Sequence, residues 1–239
     1  MTTRTGKLDL SPSNRKATWT DGTLPLHKTM ILAPDPNREL TPNGFLVEQP
    51  AATTVRSHFH TNSQWQVFVG GSGTLGRKPV QGFVAQYIAP HTAYGPIVAD
   101  GHGLWYLTLR PSAASGAKYL PQARGQLDMK LAKRQITSEV HLPTAVGPER
   151  QVVEMVQPQP DGTAAWMVYV GPDETVDAPI HAGGLARYYV VARGELIVNG
   201  DHLGPLSLAW VDEDDMSMAL RSGPQGMTVL VLQFPGNAY

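Results

Sequence analysis

The chain has 239 residues, of which 41% are apolar and 16% are charged, a balance that indicates a globular protein and excludes a disordered one. Its 19 basic and 20 acidic side chains give a net charge of −1, so charge offers no reason to expect nucleic acid or an anionic membrane surface as a partner. The lack of cysteine excludes disulfides, thiol nucleophiles and thiolate metal sites.

The start of the chain carries no sign of a targeting segment. Its first residues lack the apolar core of a signal peptide, and no run in the chain approaches the roughly 18 apolar residues of a membrane span. The sequence therefore predicts a cytoplasmic protein without a membrane partner.

Short strands separated by tight turns are the main structural prediction. The 24 glycines and 20 prolines are scattered between short apolar runs, which is typical of an all-β protein. β-Branched and aromatic residues dominate these runs, which include residues 64–69, 188–191, 195–198 and 228–232. Asn199 and Gly200 predict a hairpin turn directly after the third of them, because both residues tolerate a positive φ.

One segment favours a helix. Apolar residues recur near a 3.6-residue period over residues 126–137, with Asp128 near the start and Lys133 and Arg134 near the end, where their charges suit the helix dipole. The apolar members are Leu127, Leu131 and Ile136. The sequence therefore predicts a short amphipathic helix here.

An internal repeat indicates two copies of one β domain. His58 is followed by Gly71 thirteen residues later, and His181 is followed by Gly194 at the same spacing. Each copy ends in a short apolar run closed by proline, at residues 107–111 and 231–235. We therefore expect an N-terminal domain over residues 1–113, with its core at about 40–111, and a C-terminal domain over residues 150–239. Residues 114–149 would form a linker that holds the helix.

The strongest candidate site lies around two histidines. Alternation along a strand places His58 and His60 on the same face and Phe59 on the other. Two buried imidazoles need a partner, and a divalent metal is a common one. Gln64 offers an oxygen to the same point. The alternative is a pair of hydrogen-bonded histidines in a pocket without a metal.

These residues resemble a known family. The pattern His-x-His-x3-Gln-x6-Gly, formed by His58, His60, Gln64 and Gly71, resembles the first motif of the cupins, in which glutamate normally stands at the glutamine position. The second cupin motif falls on residues 82–94 and places Tyr94 where the third metal-binding histidine is expected.

The second copy keeps the spacing of the motif and loses its ligands. His181 is retained, but Gly183 stands at the second histidine position and Arg187 at the glutamate position. The resemblance covers about residues 40–111 and 165–235 and implies a bicupin. Such a chain folds as two tandem double-stranded β-helix (jelly-roll) barrels. We expect its C-terminal barrel to be free of metal.

The resemblance also implies a function for the N-terminal barrel. One divalent transition metal (Fe, Mn, Ni or Zn) would be held by His58, His60, Gln64 and Tyr94, with Gln64 and Tyr94 also in catalytic roles. The protein would then be a metal-dependent enzyme, dioxygenase-like or isomerase-like, that acts on a small organic substrate. The alternative is a non-catalytic, metal-free protein that binds a small molecule or senses it.

Three further residues are candidate substrate contacts. Trp65 lies on the strand beside the first motif, where it lines the pocket or packs in the core. Arg187 either binds a carboxylate or phosphate bidentately or pairs with the acidic run at residues 212–215. His181 is either a substrate contact or a hydrogen-bonded polar residue.

The two barrels are expected to pack together as a pseudo-dimer within the chain, because a barrel of this size buries little surface alone. Residues 1–40 would add strands to a barrel or lie across the opposite one, with Trp19 buried. The outer sheet edges leave a homodimer open as a further assembly.

Overall fold

The computed structural model of the chain describes residues 3–19, 24–38, 41–113, 116–140, 150–212 and 218–236. Within these ranges helical structure is limited to one 3-10 turn, Arg124–Gln126, and no helix has the length and hydropathy that crossing a membrane requires. The all-β fold class, with two large antiparallel sheets of the jelly-roll type, is therefore confirmed.

The strands follow one another along the whole chain. In order they are β1 (Thr3–Gly6), β2 (Arg15–Thr18), β3 (Leu26–Leu32), β4 (Asn43–Gln49), β5 (Thr54–Val55), β6 (His58–Phe59), β7 (Gln64–Leu75), β8 (Lys78–Gln81), β9 (Phe83–Ile88), β10 (Ile97–Arg110), β11 (Lys118–Tyr119), β12 (Gln135–Val140), β13 (Gln151–Val156), β14 (Ala164–Val170), β15 (Thr175–Asp177), β16 (Gly184–Val198), β17 (Asp201–Leu203), β18 (Leu208–Asp212) and β19 (Ala219–Pro235).

The chain divides into two compact units. The N-terminal unit comprises Asp9–Met30 and Pro34–Glu139, and the C-terminal unit comprises Met1–Leu8, Ile31–Ala33 and Val140–Ala238. The domain boundaries inferred from the repeat, at residues 113 and 149, stay predictions.

The N-terminal unit is built on a nine-stranded sheet. Its strands run in the order β12-β9-β7-β10-β4-β3-β2, with β5 added to β10 and β8 added to β7, while β6 and β11 form a separate pair. The two long strands β7 and β10 pair antiparallel and supply one residue in two to the interior. Phe45, Phe68, Ile97 and Tyr106 are among the residues of the apolar core.

The C-terminal unit is built on an eight-stranded sheet. Its strands run in the order β1-β18-β16-β19-β14-β13, with β15 added to β19 and β17 added to β16. All seven residues of β14 are buried, so both faces of this strand are covered and its sequence is apolar throughout.

Strand β1 belongs to the C-terminal unit although it lies at the start of the chain. Thr3 pairs with Val211 and Gly6 pairs with Leu208, both on β18. The first residues therefore add a strand to a sheet, as the sequence predicted for this part of the chain. The expectation that Trp19 is buried is wrong, because its side chain is 65% exposed.

The predicted helix at residues 126–137 is wrong. Its last residues, from Gln135 onward, form β12 beside β9. Asp128 accepts a hydrogen bond from the main-chain N–H of Lys130 at 2.9 Å, which closes a turn where the helix would begin. Leu131 was expected on the buried face and is 43% exposed. The turn at Asp128 and the pairing of β12 with β9 therefore determine the structure of this segment, although its apolar residues follow a helical period.

The repeated glycine spacing has a structural cause. Gly71 and Gly194 have φ values of 75° and 68°, which L side chains rarely adopt. A Cβ at Gly71 would lie 2.0 Å from the carbonyl oxygen of Gly103, and a Cβ at Gly194 would lie 2.0 Å from that of Gly226. Each glycine lets two long strands approach at an irregularity in their pairing.

We expect Gly71→Ala to lower the free energy of unfolding by about 2 kcal/mol or more, because the methyl group meets backbone that cannot rotate away. Gly101→Ala is the matched control, since a Cβ there meets nothing within 4 Å, and its effect should stay within about 0.5 kcal/mol. Urea unfolding followed by circular dichroism measures both. Equal effects of the two substitutions would contradict the explanation.

Candidate functional site

A cavity of about 80 Å³ lies inside the barrel of the N-terminal unit. Its polar lining consists of Lys28, His58, His60, Gln66, Tyr94, Tyr106, Thr108 and Arg110. Its remaining lining includes Leu26, Phe45, Val47, Val55 and Tyr119. The lining residues lie far apart in sequence and are brought together by strands β3, β4, β5, β7 and β10 of the sheet and by the pair β6 and β11.

The tautomer of His58 follows from its neighbours. Its Nδ1 lies 2.7 Å from the carbonyl oxygen of Arg56, which can only accept, so Nδ1 carries the proton. The Nε2 of the neutral ring then accepts from the hydroxyl of Tyr94 at 2.8 Å. Backbone pairing between His58 and Tyr94 holds the two side chains side by side.

The tautomer of His60 also follows from its neighbours. Its Nδ1 lies 3.0 Å from the carbonyl oxygen of Gly116 and therefore donates to it. Nη2 of Arg110 lies 3.2 Å from Nε2 and 3.4 Å from Nδ1 of His60, so the guanidinium contacts the ring, where only Nε2 has a lone pair to accept with. The backbone at Gly116 thus fixes the orientation of the His60 ring, and the ring in turn contacts the guanidinium of Arg110.

Gln64 links the guanidinium to the tyrosine. Its Oε1 accepts from Nε of Arg110 at 3.1 Å, and its Nε2 donates to the hydroxyl oxygen of Tyr94 at 2.7 Å. A ladder of glutamines continues from the same hydroxyl: Gln66 lies 3.5 Å from it, Gln86 donates to Gln66 at 2.9 Å, and Gln135 donates to Gln86 at 2.6 Å.

Two positive charges face the cavity, and its lining residues within the described ranges include no carboxylate. Arg110 is 8% exposed, and Lys28 lies on the neighbouring part of the sheet. Both cations contact the ring of Phe45, with Nζ of Lys28 5.4 Å and Cζ of Arg110 5.5 Å from its centroid. The cavity therefore carries a positive potential.

Burial keeps the other polar groups neutral. Burial, assisted by the charge of Arg110, lowers the pKa of His58 to about 4 and that of His60 to about 2. Burial also raises the pKa of Tyr94 above its usual range. The pKa of Lys28 is lowered, first by burial and then by Arg110. At neutral pH the positive charge of the cavity comes from the lysine and the arginine alone.

The structure brings the four predicted metal ligands together and separates the predicted substrate contacts from them. His58, His60, Gln64 and Tyr94 all belong to one hydrogen-bond network. Trp65 is fully buried on the opposite face of β7, where its ring packs on Tyr87.

His181 and Arg187 lie in the C-terminal unit. Arg187 is fully buried and donates to the carbonyl oxygen of Pro179 at 3.0 Å. Of the acidic run suggested as its partner, Asp212 accepts from the indole N–H of Trp210 at 2.6 Å. Residues 213–215 of that run lie outside the described residues.

The two units place the same pair of residue types at matching positions but exchange them between strands. Gln64 on β7 faces Arg110 on β10, whereas Arg187 on β16 pairs with Gln233 on β19. Arg187 follows Gln64 in the chain by the same 123 positions by which Gln233 follows Arg110. In the C-terminal unit the glutamine bonds to the backbone, donating to the carbonyl oxygens of Gly162 and His181 at 2.7 and 2.8 Å.

Sequence reasoning missed Arg110 and Lys28. A signal was present for the arginine, because it is the one charged residue in residues 107–111, the apolar run that closes the first copy of the repeat. A charge at the end of a buried strand is rare unless it has partners. No comparable signal marks Lys28.

The residues in this arrangement do not fit a divalent cation. Within the described ranges no three His, Asp or Glu side chains are placed to hold one together. The Nε2 atoms of His58 and His60 and the Oε1 of Gln64 already accept hydrogen bonds. Arg110 stands beside two of these atoms, and unit charges of the same sign 4 Å apart repel by about 4 kcal/mol at an effective dielectric of 20.

Solved structures with the cupin fold resemble the whole chain. The bacterial pirin YhhW of Escherichia coli, in complex with nickel(II), shares 13% identity over 98% of this chain and 99% of its own, with a TM-score of 0.59. A mutant of oxalate decarboxylase OxdC of Bacillus subtilis shares 12% over 97% and 78%, with a TM-score of 0.58. The coconut allergen cocosin shares 11% over 98% and 87%, with a TM-score of 0.59.

No protein-family model matches the chain, and no curated protein sequence matches it. At these identities the likeness to solved structures shows the fold alone. The neighbours include a nickel(II) complex, an oxalate decarboxylase and a coconut allergen, so the fold by itself does not select among functions. The chain has a cupin fold, and its function must follow from its own residues.

The two buried histidines should make the protein less stable in acid. Below pH 6.5 the unfolded chain takes up protons on His58 and His60, whereas the folded chain does so only near pH 4 and pH 2. Each histidine therefore lowers the free energy of unfolding by about 3 kcal/mol between pH 7 and pH 4. Urea unfolding at pH 7 and pH 4 measures this decrease. In His58→Gln and in His60→Gln the free energy of unfolding should fall by about 3 kcal/mol less between the two pH values than in the wild type. An unchanged pH dependence in both variants would show that the rings are protonated in the folded state.

Proposed function

We propose that the N-terminal barrel binds a small organic anion without a metal ion. The observation that carries this proposal is the position of Arg110, whose guanidinium contacts His60 and Gln64, two of the residues that the cupin resemblance assigns to the metal. The guanidinium thus places a fixed positive charge at the position where a bound metal ion would otherwise provide one.

The electrostatics of the cavity support an anionic ligand. Lys28 and Arg110 repel one another in a space that is partly shielded from water, and no carboxylate among the described lining residues offsets them. An anion in the cavity offsets this repulsion and raises the pKa of the lysine, which burial and Arg110 lower. A carboxylate is the natural partner, because it matches both an ammonium and a guanidinium.

The neutral residues around the cations have a positioning role. His60 and Gln64 accept from Nη2 and Nε of Arg110, so they fix the plane of the guanidinium. His58 and Tyr94 fix Gln64 in turn, because the tyrosine oxygen accepts from the amide and its proton goes to the imidazole. This network orders the cation before any ligand arrives, which lowers the entropy cost of binding.

The second candidate is the metal-dependent enzyme, dioxygenase-like or isomerase-like, that the resemblance implies. One observation favours it: His58 and His60 each donate Nδ1–H to a backbone carbonyl, which is the arrangement that metal-binding histidines use to direct Nε2 at an ion. Metal binding would require Arg110 to leave its present partners. The two candidates therefore differ in the metal content of the protein and in the role of one residue.

We also propose that the chain is a bicupin whose C-terminal barrel holds no metal. Arg187 stands at the glutamate position there and is buried against the backbone. A cytoplasmic location, the pseudo-dimer of barrels and a homodimer stay predictions from the sequence.

Removal of the guanidinium should weaken anion binding. We expect Arg110→Gln to weaken acetate binding by about tenfold or more and Lys28→Gln to weaken it as well, because each removes a charge-assisted contact. Arg77→Gln is the matched control, since this arginine lies exposed at the turn between β7 and β8. Calorimetric titration at constant ionic strength measures all four proteins.

Elemental analysis of protein purified without chelators or a nickel column separates the two candidates. We expect less than about a tenth of a metal ion per chain in the wild type, because the two cations oppose it. Arg110→Glu should gain Co²⁺ binding, visible in the absorption of the ion, because the change supplies a carboxylate ligand and removes the positive charge. A stoichiometric metal in the wild type would favour the enzyme and contradict our proposal.

A further inference from the structure

We propose that the anion is a short carboxylic acid of about five or six non-hydrogen atoms that carries an additional oxygen, as a hydroxyl or oxo group, on the carbon next to its carboxylate. This inference rests on the proposed anion site and adds the class of its ligand. Three observations carry it: the groups that face the cavity without a protein partner, their placement along one strand, and the size of the space.

Three polar side chains face the cavity without a hydrogen-bond partner among the described residues. They are the ammonium of Lys28 and the hydroxyls of Tyr106 and Thr108. Tyr106 and Thr108 are 4% and 3% exposed, and their hydroxyl oxygens are accessible from the cavity. Buried polar groups are nearly always hydrogen-bonded, and a group that the protein leaves without a partner points to a ligand or an ordered water.

The unsatisfied hydroxyls lie beside the cation on one strand. Tyr106, Thr108 and Arg110 alternate along β10 and therefore share its inner face. Neighbouring members of this row are about 7 Å apart at their Cα atoms. A carboxylate held by Arg110 and Lys28 consequently places an oxygen on the adjacent carbon toward the hydroxyls, whereas a simple alkanoate leaves them without a partner.

The size of the cavity sets an upper limit on the ligand. Its volume of about 80 Å³ is roughly half that of the engineered apolar cavity that holds benzene. Leu26, Val47 and Val55 supply an apolar part of the lining, which suits a short alkyl group. Acids of the size of glycolate and lactate fit these limits, and benzoate exceeds them.

The first test compares acids on the unmodified protein. Acetate, glycolate, lactate and benzoate are titrated calorimetrically at pH 7.5 in a buffer free of carboxylates, with ethylene glycol as the neutral control. We expect lactate and glycolate to bind about five- to tenfold more tightly than acetate, because each gains a hydrogen bond to a buried hydroxyl. Benzoate and ethylene glycol should not bind.

The second test removes the hydroxyls from the protein. Tyr106→Phe and Thr108→Val are each expected to retain acetate affinity within about twofold, and at least one should lower lactate affinity by about fivefold. Tyr87→Phe is the matched control, because this tyrosine is buried in the same unit on the face that packs against Trp65. A merely structural role of the hydroxyls would move the affinities for both acids together.

The outcomes distinguish this inference from the one on which it rests. Equal affinity of the wild type for acetate and lactate would contradict the inference that the ligand carries an additional oxygen next to its carboxylate, and would leave the proposed anion site intact. Benzoate binding as tight as that of lactate overturns the size limit. Binding of none of the acids overturns the anion site itself. The comparison among acids needs no variant, so it decides the matter even where a substitution prevents folding.

Discussion

The site is organised by one buried guanidinium. A charge such as that of Arg110 is costly to bury unless acceptors surround it, so its neighbours must present lone pairs. Gln64 turns its oxygen toward Nε, and its amide nitrogen then points at Tyr94. The tyrosine oxygen accepts from that amide, so its proton goes to His58, whose other nitrogen must donate to the backbone. Each step fixes the next, and the direction of the whole chain of hydrogen bonds follows from the arginine.

The C-terminal unit shows what happens when the same two residue types change places. Arg187 occupies the strand position that Gln64 has in the first unit, and Gln233 occupies that of Arg110. There the arginine donates to a backbone carbonyl and the glutamine bridges two backbone segments. In this arrangement the pair stabilises the interior of the barrel, whereas in the first unit the arginine of the pair lines a cavity.

Local signals in the sequence were sufficient for the strands and for the group of four residues. The alternation around His58 and His60 and the repeated glycines describe short-range geometry, and the motif spacing carries Gln64 and Tyr94 to the same place. The cations were not predictable in this way, because Arg110 reaches the histidines from a strand about fifty positions away. The helix failed for a related reason: the partner that makes residues 135–140 a strand is β9, which no local period reveals.

The assignment of β1 to the C-terminal sheet has a consequence for how the chain is made. Residues Thr3–Gly6 are synthesised about 200 residues before their partners on β18. At about 5–20 residues per second this interval lasts roughly 10–40 s. During that time β1 lacks its partner strand, and the β18 edge of the C-terminal sheet is covered only after β18 itself has been made. A tag fused ahead of Thr3 is therefore attached to β1, the edge strand of the C-terminal sheet.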